Sequence, residues 1–127
     1  MTLRKSKIIA FVPTRKTAQA KRFYESTLGL RLLSNDRFAL VFDANGTMLR
    51  VAKVPAYTPF PFTVVGWEVV DIEAIARKLR KKRVAFQRYK GLQQDRLGIW
   101  TSPDGARVAW FKDPDGNLLS ISRHPKK

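Results

Sequence analysis

Few side chains in this sequence could carry covalent chemistry, and they are dispersed. The chain has no cysteine, which removes disulfides, thiolate nucleophiles and Cys-based zinc or iron–sulfur sites. Its one histidine, His124, stands in the tail Arg123-His124-Pro125-Lys126-Lys127, where a solvated role is the plain expectation. Ser102, Ser120 and Ser122 have no other histidine to serve as base, so a Ser-His-Asp relay is excluded unless that tail residue supplies it. What the chain has in excess is positive charge: 25 Lys and Arg against 10 Asp and Glu, a formal +15. Such a balance favours anionic partners and says nothing about fold. Part of it is concentrated in Arg77-Lys78-Leu79-Arg80-Lys81-Lys82-Arg83, a run able to contact phosphates. Nothing pairs that run with exposed aromatics or a known nucleic-acid module, so a solvated helix face is expected and nucleic acid is not.

The elements that must position any site read as a duplicated pattern. Lys7–Pro13 is β-branched and aromatic and closes on proline, a strand. Thr17–Leu28 places Ala20, Phe23, Tyr24, Thr27 and Leu28 on one helical face, and Gly29 is set to end the helix in the left-handed conformation. Short strands follow at Leu30–Leu33, Phe38–Asp43 and Thr47–Val51, the last two joined through Asn45-Gly46. Residues 53–61 hold three prolines and form a connector. The pattern then restarts. Phe62–Val70 is a strand, and Asp71 is positioned to cap a helix carrying Ile72, Ile75, Ala76 and Leu79. Strands are predicted at Val84–Arg88, Gly98–Thr101, Ala106–Lys112 and Asn117–Ser122, with turns at Ser102-Pro103-Asp104-Gly105 and Asp113-Pro114-Asp115-Gly116. Asp43–Val51 parallels Asp113–Ile121 residue by residue, which makes internal duplication the strongest single signal. The fold class is α+β, two βαβββ modules (about 7–52 and 62–122) forming a cupped mixed sheet, with 1–127 as one domain. The run Ile8–Val12 is too short for a signal-peptide core and no segment approaches a membrane span, so a cytoplasmic protein without membrane contact is expected.

Three pieces carry a family resemblance: Phe23-Tyr24-Glu25-Ser26-Thr27-Leu28-Gly29-Leu30, Trp67-Glu68-Val69-Val70-Asp71-Ile72-Glu73, and Phe111-Lys112-Asp113-Pro114-Asp115-Gly116-Asn117-Leu118-Leu119. Together they resemble the glyoxalase/bleomycin-resistance/extradiol dioxygenase (vicinal-oxygen-chelate) superfamily, from about Lys7 to Ser122. The resemblance implies a homodimer and, in metal-dependent relatives, a divalent ion held by His on the two module-opening strands and Glu on the two module-closing strands. Those positions fall here on Ile9, Val64, Arg50 and Ser120. Ile and Val have no donor atom, Arg is a permanent cation and Ser is a poor ligand. The expectation is no metal and no other cofactor.

If those four positions face the cup, strand alternation sends Phe11, Met48, Ala52, Gly66, Glu68, Leu118 and Ser122 the same way. The opposite parity, including Val12, Leu49, Val51, Leu119 and Ile121, is apolar and suits the layer under the helices. The candidate ligand-binding set is therefore Ile9, Phe11, Phe38, Arg50, Val64, Glu68, Trp100, Trp110 and Ser120. Arg50 suits a carboxylate or phosphate through two parallel hydrogen bonds, or Arg50 and Glu68 satisfy one another. Residues 89–95 read as a polar loop that could cover the mouth of the cup, with an ordinary surface connection the favoured reading. No catalytic residue is assigned. The expected function is metal-free small-molecule binding, with an anionic ligand fitting the charge. Sequestration of a cationic drug is disfavoured, because a protein of +15 repels cations. Two alternatives stay open: a glyoxalase-like lyase or isomerase that uses Glu68 and Arg50 instead of a metal, and a basic protein contacting nucleic acid through its second helix.

Overall fold

The computed structural model describes residues 2–126 and divides between Thr58 and Pro59 into two compact units. In the first unit β1 (Ile9–Thr14) leads into α1 (Thr17–Arg22), then β2 (Arg31–Asn35), β3 (Ala39–Ala44) and β4 (Thr47–Lys53). The strand order is β1-β4-β3-β2, with β1 parallel to β4 and the other neighbours antiparallel. The second unit has β5 (Thr63–Glu68), α2 (Ile72–Lys81), β6 (Trp100–Thr101), β7 (Arg107–Lys112) and β8 (Leu118–Arg123). Its order, β5-β8-β7-β6, repeats the first, again with a parallel outer pair. Both units are thus βαβββ modules and the chain is α+β. No helix among the described residues is long and apolar enough to cross a membrane.

Period-2 alternation explains each sheet's inner face. In the first unit Val12, Leu40, Phe42, Leu49 and Val51 lie on one side with Ala20 and Tyr24 of the helical segment, all at most 1% exposed. The Tyr24 and Phe42 rings meet at 5.8 Å. Burying an aliphatic or aromatic side chain of this size contributes about 1.5–3 kcal/mol, so this layer carries the unit. In the second unit the corresponding layer is Ala109, Phe111, Leu119 and Ile121, with Ile72, Ala76 and Leu79 buried on α2. The predicted cap is present: the Asp71 carboxylate accepts from the Ala74 N–H at 3.1 Å. Asn45 and Gly46 both take positive φ in the two-residue turn between β3 and β4.

The structure departs from the sequence reading at three places. The first helix is not α throughout: Phe23–Thr27 is a π-helical turn in which the Leu28 N–H reaches the Phe23 carbonyl at 2.9 Å. Val84–Arg88 is not a strand. Phe86 makes one isolated bridge to Phe111 and the Gln87 N–H reaches the Trp110 carbonyl at 2.7 Å, but the backbone groups that follow are taken by a side chain instead of a ladder. Gln94 donates to the Gln87 carbonyl at 2.8 Å and accepts from the Tyr89 N–H at 2.8 Å. Buried or half-buried backbone groups need partners, and one amide supplies them here. The strand predicted from Gly98 is also shorter, because the Asp95 carboxylate accepts from the Leu97 and Ile99 N–H groups, each at 2.9 Å, and holds a turn there. Without the extra strand the two modules match element for element.

The two helical ends also contrast. Gly29 follows the first at φ +77, whereas the residue after the cap of α2 is Arg83 at φ +70. A side chain in that region costs about 1 kcal/mol that glycine avoids. Arg83→Gly is therefore expected to stabilise the protein by about 0.5–1 kcal/mol, read as a higher denaturant midpoint at unchanged slope. A loss of stability would show that the Arg83 side chain makes compensating contacts.

Candidate functional site

The outer face of the first sheet is the part of that unit whose apolar residues the core does not explain. Register puts Ile9 beside Met48 and Phe11 beside Arg50, with Val41 of β3 on the other side of Arg50. Phe11 is 61% exposed although it stands on a regular strand, and Ile9 and Met48 are exposed with it. Arg50 is half-buried between Phe11 and Val41 and has no ion pair among the described residues. The planar guanidinium fork is pre-organised, so it loses little rotamer freedom per hydrogen bond formed. Phe38 is not beside it. It lies in the bend before β3, exposed, with the Arg37 guanidinium 5.2 Å from its ring. That bend is fixed by Asp36, whose carboxylate accepts from the N–H groups of Phe38 at 2.7 Å and Ala39 at 2.9 Å. Those two hydrogen bonds hold the Asp36 carboxyl below its ordinary range, with the Arg50 and Lys53 charges acting the same way.

The outer face of the second sheet is built around tryptophan. Register aligns Gly66, Ser120 and Trp110 in one row and Glu68, Ser122, Val108 and Trp100 in the next. The Trp100 and Trp110 rings lie 6.0 Å apart, and Tyr89 meets Trp110 edge-on at 5.5 Å. Burial pushes the Tyr89 hydroxyl above its ordinary value. Ser120 is 7% exposed and closes under Gly66, where a Cβ would lie 2.5 Å from its Oγ. Val64 falls at an irregularity in the β5–β8 pairing and is half-buried. Glu68 is exposed and accepts from the His124 backbone N–H at 3.3 Å.

Sequence reasoning missed two features of this second unit. The predicted connector contributes Pro59, Phe60 and Pro61 to a cavity of about 360 Å³ that also includes Tyr89, Lys112 and Leu118. The polar loop whose favoured sequence reading is an ordinary surface connection supplies Tyr89 to this wall. Aromatic residues interleaved with proline were the available signal, since a plain linker has no use for the stacked pair Phe60–Phe62, 5.1 Å apart. The tail histidine is exposed as expected but not isolated: its Nε2 lies 3.1 Å from Ser122 Oγ. This is not a relay, because Glu68 touches the His124 backbone and, among the described residues, no carboxylate hydrogen-bonds the imidazole.

A divalent ion of the kind the family resemblance implies does not fit this donor set. Ile9 and Val64 offer no donor atom, Arg50 repels a cation, and Ser120 Oγ is closed under Gly66. Among the described residues no group of three or more His, Cys, Asp or Glu is placed to hold a metal.

Comparison with known proteins agrees with this architecture. A model of the Glyoxalase/Bleomycin resistance protein/Dioxygenase superfamily matches residues 8–121. No curated protein sequence matches the chain. Among solved structures, the bleomycin resistance determinant encoded on transposon Tn5 is 18% identical with a TM-score of 0.75, covering 96% of this chain and 100% of that one. TnmS3, an antibiotic binding protein from Streptomyces sp. CB03234, is 22% identical with a TM-score of 0.73, covering 98% and 100%. Lactoylglutathione lyase from Agrobacterium tumefaciens is 13% identical with a TM-score of 0.72, covering 93% of each chain. At these identities the structures speak for the fold alone. With the family model spanning nearly the whole sequence and both modules in place, the chain belongs to the Glyoxalase/Bleomycin resistance protein/Dioxygenase superfamily.

Proposed function

We propose that this chain is a small-molecule binding protein of its superfamily that works without the divalent ion and recognises an anionic group through Arg50. The observation that carries the reading is the setting of Arg50, half-buried between Phe11 and Val41 with no ion pair among the described residues. A guanidinium on an apolar surface is well suited to planar carboxylates and phosphates, which accept two parallel hydrogen bonds. The exposed Ile9, Phe11 and Met48 supply apolar surface for the rest of such a ligand. The second unit has, by itself, an aromatic cluster of Trp100, Trp110 and Tyr89 suited to a flat molecule. Bleomycin resistance and antibiotic binding among the structural neighbours fit a binding role. The +15 charge argues for an anionic ligand here. The homodimer that the resemblance implies and a cytoplasmic location belong to the same reading.

A panel of aliphatic and aromatic carboxylates and phosphates tests it by thermal shift. A saturable rise in Tm is expected, because a ligand that binds only the folded state stabilises it by mass action. Arg50→Ala should weaken the apparent affinity about tenfold, or about 1.4 kcal/mol, as for loss of one charge-assisted contact. Silence from every anion, or an equal response from Arg50→Ala, rejects the proposal. Elemental analysis finding a stoichiometric, firmly held divalent ion would reject its metal-free part.

A further inference from the structure

The second unit carries a cationic surface that the small-molecule reading does not use. Residues 77–96 contain nine Lys and Arg against one acid, Asp95. All nine cationic residues are exposed. Asp95 is already engaged, with one oxygen holding its own turn and the other 3.8 Å from Arg107. The cations come from two elements that the sequence alone does not bring together. Arg80 of α2 and Arg88 of the following loop both turn toward the Arg96 carbonyl, at 3.4 and 3.1 Å. One carbonyl occupies only a small share of the ten N–H donors on two guanidiniums. Arg88 also reaches the Gln94 carbonyl at 3.4 Å, and even so two guanidiniums are gathered over the exposed Arg96 backbone with N–H donors to spare. Arg77, Lys78 and Lys81 extend the charge along the exposed side of α2, whose buried side is Ile72, Ala76 and Leu79. At 1.5 Å rise per residue, Arg77 to Arg83 spans roughly 9 Å, enough to meet two or three successive phosphates of one strand.

We infer that this face, α2 from Arg77 onward with Arg88 and Arg96, is a docking surface for the phosphodiester backbone of nucleic acid. Charge complementarity and the arginine content identify the partner: guanidiniums match phosphate oxygens bidentately, and backbone contacts need no base-reading groups. An acidic membrane is the poorer fit, because peripheral attachment usually adds an apolar wedge. Of the large apolar side chains in this stretch only Tyr89 reaches the exposed class, at 36%. Arg83 belongs to the same surface and holds a backbone conformation that glycine would adopt without strain. The inference is independent of the small-molecule proposal, since Arg50 lies in the other unit.

The test is fluorescence anisotropy with a labelled mixed-sequence DNA duplex and the full chain, titrated at several salt concentrations. Two triple variants remove charge from the face: Arg80→Gln/Lys81→Gln/Arg88→Gln, and Arg77→Gln/Lys78→Gln/Lys81→Gln. The second leaves the contacts to Arg96 untouched, so a folding defect in the first does not obscure the result. The control Lys7→Gln/Arg22→Gln/Arg31→Gln removes the same charge from exposed positions of the first unit. Each lost phosphate contact should flatten the log K against log salt slope by about 0.9, so three contacts flatten it by about 2.7. Between 50 and 200 mM salt wild type should then lose roughly forty-fold more affinity than a face variant, with the control tracking wild type. No binding at the lowest salt overturns the inference. So does equal loss in control and face variants, which assigns the effect to net charge. Binding to vesicles of anionic phospholipid but not to the duplex overturns it in favour of a membrane.

Discussion

Gly98→Ala is expected to destabilise the protein by about 3 kcal/mol. Two costs meet at that residue. Its φ of +89 lies where an L side chain is strained by roughly 1–2 kcal/mol. The added Cβ would also stand 2.9 Å from the Cβ of Phe86, an atom fixed to the backbone that cannot rotate away, and overpacking of this kind costs about 1–3 kcal/mol. Phe86 in turn packs edge-on against the buried Phe111 at 5.8 Å, so displacement would reach the core layer. Gly91→Ala isolates the first term. Its φ is +86 with nothing within 4 Å of the new atom, so it should cost only the backbone strain, about 1 kcal/mol. Denaturant unfolding of both variants measures the difference. Near-equal losses would show that the loop yields to Phe86 and that its Gln94 hydrogen bonds are soft.

Asp113→Ala should be comparably severe, at about 3 kcal/mol. The Asp113 carboxylate is 6% exposed and accepts from the Asp115 N–H at 3.0 Å, the Asn117 N–H at 2.9 Å and the Asn117 side-chain amide at 2.8 Å. Alanine would leave three buried donors without their acceptor, and an unsatisfied buried donor costs about 1–3 kcal/mol, reduced where the loop relaxes or water enters. Asp113→Asn should cost much less, about 1 kcal/mol, because its one oxygen can still accept both backbone N–H groups and Asn117 can flip its amide. Equal effects from the two substitutions, measured by chemical denaturation, would mean that the negative charge matters more than the acceptor geometry.

These two sites also mark what was legible in the sequence. The Asp113–Asn117 turn could be read because its chemistry is local: an Asx-type acceptor, a proline and a glycine at fixed offsets. The same holds for the Asp71 cap, the Asn45-Gly46 hairpin and the alternation that buries Val12, Leu49, Leu119 and Ile121. What failed was non-local. Val84–Arg88 has strand composition, yet after Gln87 the pairing passes from the β7 backbone to the Gln94 amide, whose position the local sequence does not reveal. The π turn at Phe23–Thr27 keeps an apolar pattern that an α-helix would also show. For the candidate site, the row of Phe11 and Arg50 followed from alternation, whereas Phe38 escaped it by lying in a bend outside any strand. The cavity wall at Pro59–Pro61 and the contact of His124 with Ser122 arise from chain segments without periodicity, where pattern reasoning has nothing to count.

The parallel outer pair in each sheet has a kinetic consequence. Within a module the hairpins β3–β4 and β7–β8 join neighbours in sequence and can zip within microseconds. The opening strand, made first on the ribosome, has no partner until the last one emerges: Ile9 waits for Met48, and Thr63 for Leu118. Closing such long loops is entropically uphill, so docking of β1 and β5 should be the slow event in each half. Until then the nascent protein carries an unpaired, β-prone segment, and that interval is when it is most exposed to aggregation.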